Sequence, residues 1–493
     1  MNNLIVFLSI IAIAVGLALP ATAADIPSEV TLIKNVNIFD GESEDLLKGY
    51  DVLVVKNLIK KIEKDIKIAA TYEIDVKTGG YKAIESDGHL CFDALHKPQS
   101  IVTVYEPEKL IKKEVKVTTI DASGKTLIPG LIDMHWHSAF NSMSVAEGLN
   151  TDLAYHLLIG AKSNEKALLR GFTTVRDMAG NVFALKTLTD AGLYDGPRIF
   201  PSGPAISQTS GHSDFRPATA VPADSAAPLH YTESIGHFVV ADGVDDVLLR
   251  TREALRMGAT QIKIMSGGGV SSMYDPLDVT QYTVAETEAA VAAAADWNTY
   301  VATHVFTDDA AQRAIEAGVM SIEHGHLLTE STLRLMKNKG AFLSMQPILD
   351  DEDAIPFEEG SINRTKFVLV TEGTDRVYRL AKEIGVKTVF GTDALFDEEL
   401  AAKQGKLLAK LGRWYTPVEA LRQATSTAAE LLALSGPRST YQEGPLGVVK
   451  EGAYADLIIV DGNPLENLDL VGDADKNFVL IMKDGKIYKN SLR

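Results

Sequence analysis

At 493 residues, with 46% hydrophobic and 23% charged residues, the chain exceeds a typical single domain and has the composition of a globular protein. Its formal net charge of -18 argues against a nucleic-acid partner and reads most simply as a source of solubility. A single cysteine, Cys91, excludes an intramolecular disulfide.

The chain opens on an address. Leu4 to Leu19 is almost uninterruptedly apolar, and Pro20-Ala21-Thr22-Ala23-Ala24 follows with small residues at cleavage spacing. Residues 1–24 therefore read as a secretory signal peptide, although Met1-Asn2-Asn3 carries no Lys or Arg. A retained membrane anchor is the other reading, but the apolar run is short for a full span. No later stretch is long and apolar enough to cross a bilayer. The expected mature protein is exported, either periplasmic or secreted.

Val30–Phe39 and Asp51–Ile62 read as short strands opening a small β domain, residues 25–126, around a polar turn at Asp40–Ser43. Residues 71–116 are polar and mixed and read as an insertion with its own strands or hairpin. From Leu127 the pattern changes to short buried runs alternating with helices. The runs are Leu127–His135, Phe172–Asp177, Arg198–Ser202, Gln261–Ser266, Tyr300–His304, Met320–His324, Ala341–Gln346 and Thr388–Asp393. Eight such units predict an α/β fold, a (β/α)₈ TIM-like barrel over 127–440. Val244–Met257 and Ala285–Trp297 carry helical spacing. Thr283 with Glu286, and Thr416-Pro417 with Glu419, are capping-box signatures, the second opening a helix over Pro417–Leu434. Two long loops, Gly203–Gly243 and Pro347–Asn363, leave strand ends where a barrel builds its site. Gly447–Val460 and Phe478–Tyr488, the latter turned at Asp484-Gly485, return to strand-like text. Residues 441–493 are expected to complete the small β domain.

The chemistry sits at the strand ends. In a strand, residues two apart share a side, so His135 and His137 project together and make half of a metal site. Lys263 lies in the fourth run, His304 ends the fifth, His324 the sixth and Asp393 the eighth. Any one of these has an ordinary structural reading; together at one rim they suit zinc or a similar divalent ion. Lys263 alternates with Ile262 and Ile264. A buried lysine has a lowered pKa, and the neutral amine can react with CO₂ to form a carbamate; the alternative is an ion pair with a carboxylate such as Asp393. Gly267-Gly268-Gly269 lacks the Lys-Ser/Thr of a phosphate loop and reads as room for backbone near the metals.

These motifs resemble the amidohydrolase superfamily, and within it the imidazolonepropionase-like branch of metallo-carboxypeptidases, Xaa-Pro dipeptidases and an ochratoxin-hydrolysing amidase. The text that carries the resemblance is GLIDMHWH, GFTTVRDMAG, SQTSGHSDFR, QIKIMSGGGV, SIEHGHL, FGTDA and ADLIIVDGNPL. It spans nearly the whole chain after residue 24 apart from the insertion. The resemblance implies two divalent ions, zinc foremost. His135, His137 and Asp393 would hold one and His304 and His324 the other, bridged by carbamylated Lys263 and a hydroxide. It implies a homo-oligomer as well. Phe306 stands where many relatives have tyrosine, which leaves substrate identity open.

The expected activity is hydrolysis of amide bonds in dipeptides or small N-acyl amino acids, with Asp393 as base and then acid. His212 is a candidate to stabilise the tetrahedral intermediate. Arg216, Tyr231 and His237 are candidates to bind a substrate carboxylate. Hydrolysis of a cyclic amide or lactone uses the same chemistry, and an exported metal-binding protein without turnover is the third reading.

Overall fold

Two units divide the chain in the computed structural model, residues 1–31 with 66–118 and residues 32–65 with 119–493. The structure describes residues 27–68, 71–75, 81–84, 110–220, 228–272 and 274–492. The signal-like stretch and Cys91 lie outside them. In the first unit, Tyr81–Ile84, Thr71–Asp75 and Leu110–Glu114 form a three-stranded antiparallel sheet in that order.

The second unit holds two kinds of sheet. One is mixed and takes strands from both ends of the sequence: Glu29–Ile38, Leu47–Val55, Leu58–Glu63, Thr126–Pro129, Leu457–Val460, Phe478–Lys483 and Lys486–Asn490. The others are parallel. Leu131–Trp136, Phe172–Asp177 and Arg198–Pro201 form a sheet of three, and a sheet of seven runs from Phe238–Val240 to Thr388–Phe390. Every residue of the parallel strands is buried, as expected of strands covered on both faces. Among the described residues no helix is long and apolar enough to cross a membrane.

Several expected elements are redrawn. The run Leu127–His135 is two strands, Thr126–Pro129 in the mixed sheet and Leu131–Trp136 in a parallel one. The chain passes between them at Gly130, where a Cβ would lie 2.2 Å from Thr173 Oγ1. Asp51–Ile62 is not one strand but a hairpin turned at Lys56, whose φ is 55°. The loop Gly203–Gly243 contributes two three-residue strands, Ala205–Ser207 and Phe238–Val240, too short to carry a readable alternation. Pro417–Leu434 breaks into Pro417–Gln423 and Ser426–Ala433; at the break the Ala424 carbonyl accepts the Ile132 N–H at 2.8 Å. Both expected capping boxes are present. Asp484, at φ 56°, and Gly485, at φ 73°, turn the last hairpin.

Candidate active site

Parallel register brings the chemistry-bearing residues to one level. Met265, two residues after Lys263, pairs with His304, and the neighbouring Val305 pairs with His324. The last strand ends at Phe390, so Asp393 sits three residues beyond it rather than within it. Two devices hold Asp393 against the first parallel strand. Its N–H donates to the His135 carbonyl at 2.8 Å. Buried Asp133 accepts from the His135 N–H (3.0 Å), the Thr392 N–H (3.1 Å) and hydroxyl (2.7 Å), and the Gln404 amide (2.8 Å). Gly391 permits the approach, since a Cβ there would lie 2.6 Å from that of His135. His324 (φ 76°) and Asp393 (φ 53°) both adopt left-handed backbone, a strain that non-glycine residues carry at sites where the surroundings over-determine them.

The side chains converge on Asp393. Its Oδ1 lies 3.1 Å from His137 Nε2 and 3.3 Å from His135 Nε2, and its Oδ2 lies 3.8 Å from His324 Nδ1. Ligand atoms of His135, His324 and Asp393 all fall within 4.8 Å of one another. The His304 and His324 ring centroids are 4.4 Å apart.

Outer partners orient these rings. His135 Nδ1–H donates to Glu323 (2.9 Å), His324 Nδ1 meets the Gln346 amide oxygen (2.7 Å), and His304 Nε2 meets the Gly268 carbonyl (3.1 Å). Burial, reinforced by Lys263, lowers His135 to about 4. Burial and the neighbouring imidazoles put His304 well below its ordinary value. Burial also puts His324 well below its own, against the pull of Asp393. The three rings are therefore neutral and hold lone pairs. Burial alone would push the Asp393 carboxyl up, and positive charge beside it, carried by His135, His137 or His324 when protonated, brings it well below the carboxylate range.

A divalent ion fits this donor set. His135 spends its Nδ1 proton on Glu323, so its Nε2 lone pair faces an ionised oxygen at 3.3 Å. Two acceptors at that distance repel unless a cation stands beside both. His137 Nδ1 is buried with no partner among the described residues. Neutral imidazoles with a carboxylate suit zinc or a similar ion.

Lys263 is 1% exposed. Burial brings it down to about 8, against the pull of Glu323 and Asp393. None of the hydrogen bonds and ion pairs among the described residues involves its amine, so the expected alternative, pairing with Asp393, is not formed. Beneath it lies a group that sequence reasoning missed. Glu323 is fully buried, and Arg176 Nη2 donates to both its oxygens at 2.7 and 2.8 Å. Arg176 also donates to Met134, Tyr300, Ser321 and Ser344. The available signal was a charged residue inside a run otherwise suited to a buried strand, in TTVRD and in SIEH.

The candidates from the long loop divide. His212 reaches the site, its ring stacked on His304 at 3.8 Å between centroids with an interplanar angle of 14°. The proposed carboxylate binders are committed elsewhere. The Tyr231 hydroxyl donates to the Thr151 carbonyl at 2.5 Å. Arg216 clasps Asp214 through Nε (2.7 Å) and Nη2 (2.6 Å). His237 is fully buried: its Nδ1 accepts from the Asn181 N–H (3.1 Å) and its Nε2 meets His156 Nδ1 (2.7 Å). Both ring nitrogens of His237 therefore have partners within the chain. Phe306 stands edge-on to His304 and stacks on His324, each at 5.1 Å, as an apolar wall of the site.

The Amidohydrolase family model matches residues 126–488. The ochratoxinase of Aspergillus niger is 30% identical over 391 residues, 77% of this chain and 78% of that protein. A prolidase crystallised with N-methylphosphonate-L-proline superposes with a TM-score of 0.76 at 31% identity, covering 94% of this chain and all of that one. A Xaa-Pro dipeptidase with methionine in its active site gives a TM-score of 0.72 at 27% identity over 94% of this chain and 100% of the other.

Proposed function

From the premise that this chain belongs to the amidohydrolase family, we propose that it hydrolyses the amide bond of dipeptides or small N-acyl amino acids, releasing a C-terminal amino acid. The observation that carries the reading is the convergence of His135, His137 and His324 on Asp393, beside a buried Lys263 that no hydrogen bond or ion pair among the described residues engages. The relatives point the same way, since one is a prolidase bound to a proline phosphonate and another a Xaa-Pro dipeptidase holding methionine. The same reading takes residues 127–440 as a (β/α)₈ catalytic barrel and both chain ends as a small β domain, which their shared sheet supports.

His135, His137 and Asp393 would hold one divalent ion and His304 and His324 a second, with zinc the first choice. Metal bound there supplies a water acidified towards neutral pH and a polarised scissile carbonyl. The chain's own residues do the rest. Burial eases deprotonation of the Lys263 ammonium, and the neutral amine that forms would react with CO₂: its nitrogen gains a bond to carbon, one C=O electron pair moves to oxygen and a proton goes to solvent, giving an anionic carbamate that would serve as a further ligand. Asp393, the most open of the ligands at 26% side-chain exposure, accepts a proton at its carboxylate and returns it to the leaving amine. His212 lies on the His304 side, where a donor meets the oxygen that gains charge in the tetrahedral intermediate. Phe306 gives that side an apolar surface.

The test is amino-acid release by metal-loaded protein from a mixed library of dipeptides and N-acyl amino acids. Release of particular C-terminal residues supports the proposal and names the preferred side chain. No release, with metal confirmed bound, moves the assignment to cyclic amides or lactones. Export is proposed from the leader-like Leu4–Ala24, and N-terminal sequencing of protein recovered from the host's exported fraction checks it.

A further inference from the structure

The Gly-Gly-Gly turn after Lys263 leads into a segment whose described residues, Gly269–Ser272 and 274–275, reach the site. His212 Nδ1 lies 2.8 Å from Ser272 Oγ and 3.3 Å from Asp275 Oδ2. The Gly268 carbonyl, one residue before the loop, engages His304 Nε2 at 3.1 Å. The fit is close, since a Cβ on Gly269 would lie 1.9 Å from the His212 ring. Asp275 Oδ2 also accepts the Gly269 N–H at 2.8 Å, which closes the loop on itself.

Something must hold such a loop from behind, and the structure shows what does. Lys366, on the long helix Ile362–Ile384, is 8% exposed. Its ammonium donates to the carbonyls of Gly269 (3.0 Å), Ser272 (3.1 Å) and Asp275 (2.8 Å). Its three protons meet three backbone acceptors, and one cation gathers the turn around a point. Asn363, one helical turn earlier, donates to the Val270 carbonyl at 2.5 Å. Burying an ammonium is costly unless it is fully bonded. A lysine whose hydrogen bonds among the described residues all go to backbone carbonyls has a geometric task.

We propose that Lys366 is a positioning residue for the hydrolysis: by fastening Gly269, Ser272 and Asp275 to the Ile362–Ile384 helix, it aims His212 at the site and sets the neighbouring Gly268 carbonyl that orients His304. The proposal rests on the amidohydrolase reading for its kinetic consequence only. It links the helix that follows the long Pro347–Asn363 loop to the His212 ring through Ser272 and Asp275, a connection that no motif in the sequence announces.

The experiment is a double-mutant cycle. Metal-loaded wild type, Lys366→Met, His212→Ala and the double variant are assayed for amino-acid release. Lys366→Met is expected to lower kcat about 10- to 100-fold with KM within about 3-fold, the scale of loss from misplacing an otherwise intact group. In the His212→Ala background the same substitution should change kcat less than about 3-fold, because the group it positions is gone. Equal losses in both backgrounds, or full kcat in Lys366→Met, overturn the proposal. A crystal structure of Lys366→Met gives a readout that needs no substrate: His212 should leave its 3.8 Å stack on His304, and an unmoved ring overturns the proposal even if the amide-hydrolase reading fails. Should Lys366→Met not fold, Lys366→Arg keeps a cation there but cannot place one nitrogen against three carbonyls. An unmoved His212 in that variant overturns the proposal equally.

Discussion

His135 gives its Nδ1 proton to Glu323 across 2.9 Å, from the first parallel strand to the strand that ends in His324. That bond decides which nitrogen of His135 faces Asp393. Glu323 is in turn held by Arg176, so a buried ion pair lies beneath the ligands. Glu323→Gln removes the charge that Arg176 and His135 share. Metal affinity is expected to fall about 10- to 100-fold, as when other outer partners of metal-bound histidines are lost. Stability should also drop, by about 3–5 kcal/mol, because Arg176 is left buried without its counter-charge. Chelator competition and thermal denaturation measure the two effects separately; unchanged affinity would remove Glu323 from the metal account.

Asp393→Asn keeps an oxygen at the site and removes the proton acceptor. The folded, metal-loaded variant is expected to lose about 10²- to 10⁴-fold in kcat, the usual contribution of a positioned acid–base group. Metal content by elemental analysis alongside kcat distinguishes this from ligand loss. Near-normal turnover would sink the assigned role.

For Lys263 the discriminating variable is CO₂. Metal-free protein reconstituted with zinc in CO₂-depleted buffer is expected to regain activity slowly, and bicarbonate should speed it. Lys263→Ala should lose that dependence together with about half of the bound metal. Recovery indifferent to bicarbonate would favour an unmodified amine.

Acid stability should track a pair outside the metal site. His237 is lowered to about 3 by burial and then by His156, from an ordinary value of 6.5. The unfolded chain therefore binds the proton first, between pH 6.5 and 3. Stability from this group is fully present above pH 6.5 and is lost as pH falls toward 3. At pH 4.5 the loss is on the order of 2 kcal/mol. His237→Gln, which can still accept from Asn181 and donate to His156, should show a smaller Tm loss than wild type between pH 7.5 and 4.5. Parallel melting curves would refute this.

The ligand types and their order were legible in the chain because each ends or follows a short apolar run, and strand periodicity alone puts His135 and His137 on one side. Capping boxes and the Asp484-Gly485 turn were legible for the same reason: their signals are local. Glu323 and Arg176 sat inside quoted motifs without a role, since a carboxylate 147 residues from its guanidinium declares no partner until register aligns the strands. The commitments of Tyr231, Arg216 and His237 were invisible too. Each is capable of binding a carboxylate, and only packing shows that a carbonyl, an aspartate and a second histidine already occupy them.

Residue chemistry and short-range periodicity were enough to pick out the residues able to bind metal and the parallel α/β class, and the motifs were enough to suggest the family. Tertiary structure alone decided which nitrogen His135 presents, that Lys263 is buried near Glu323 and Asp393 without a direct ion pair among the described residues, and how Lys366 reaches the loop behind His212. Those depend on contacts between residues far apart in sequence, where hydrogen-bond capacity is finite and burial sets the charge state.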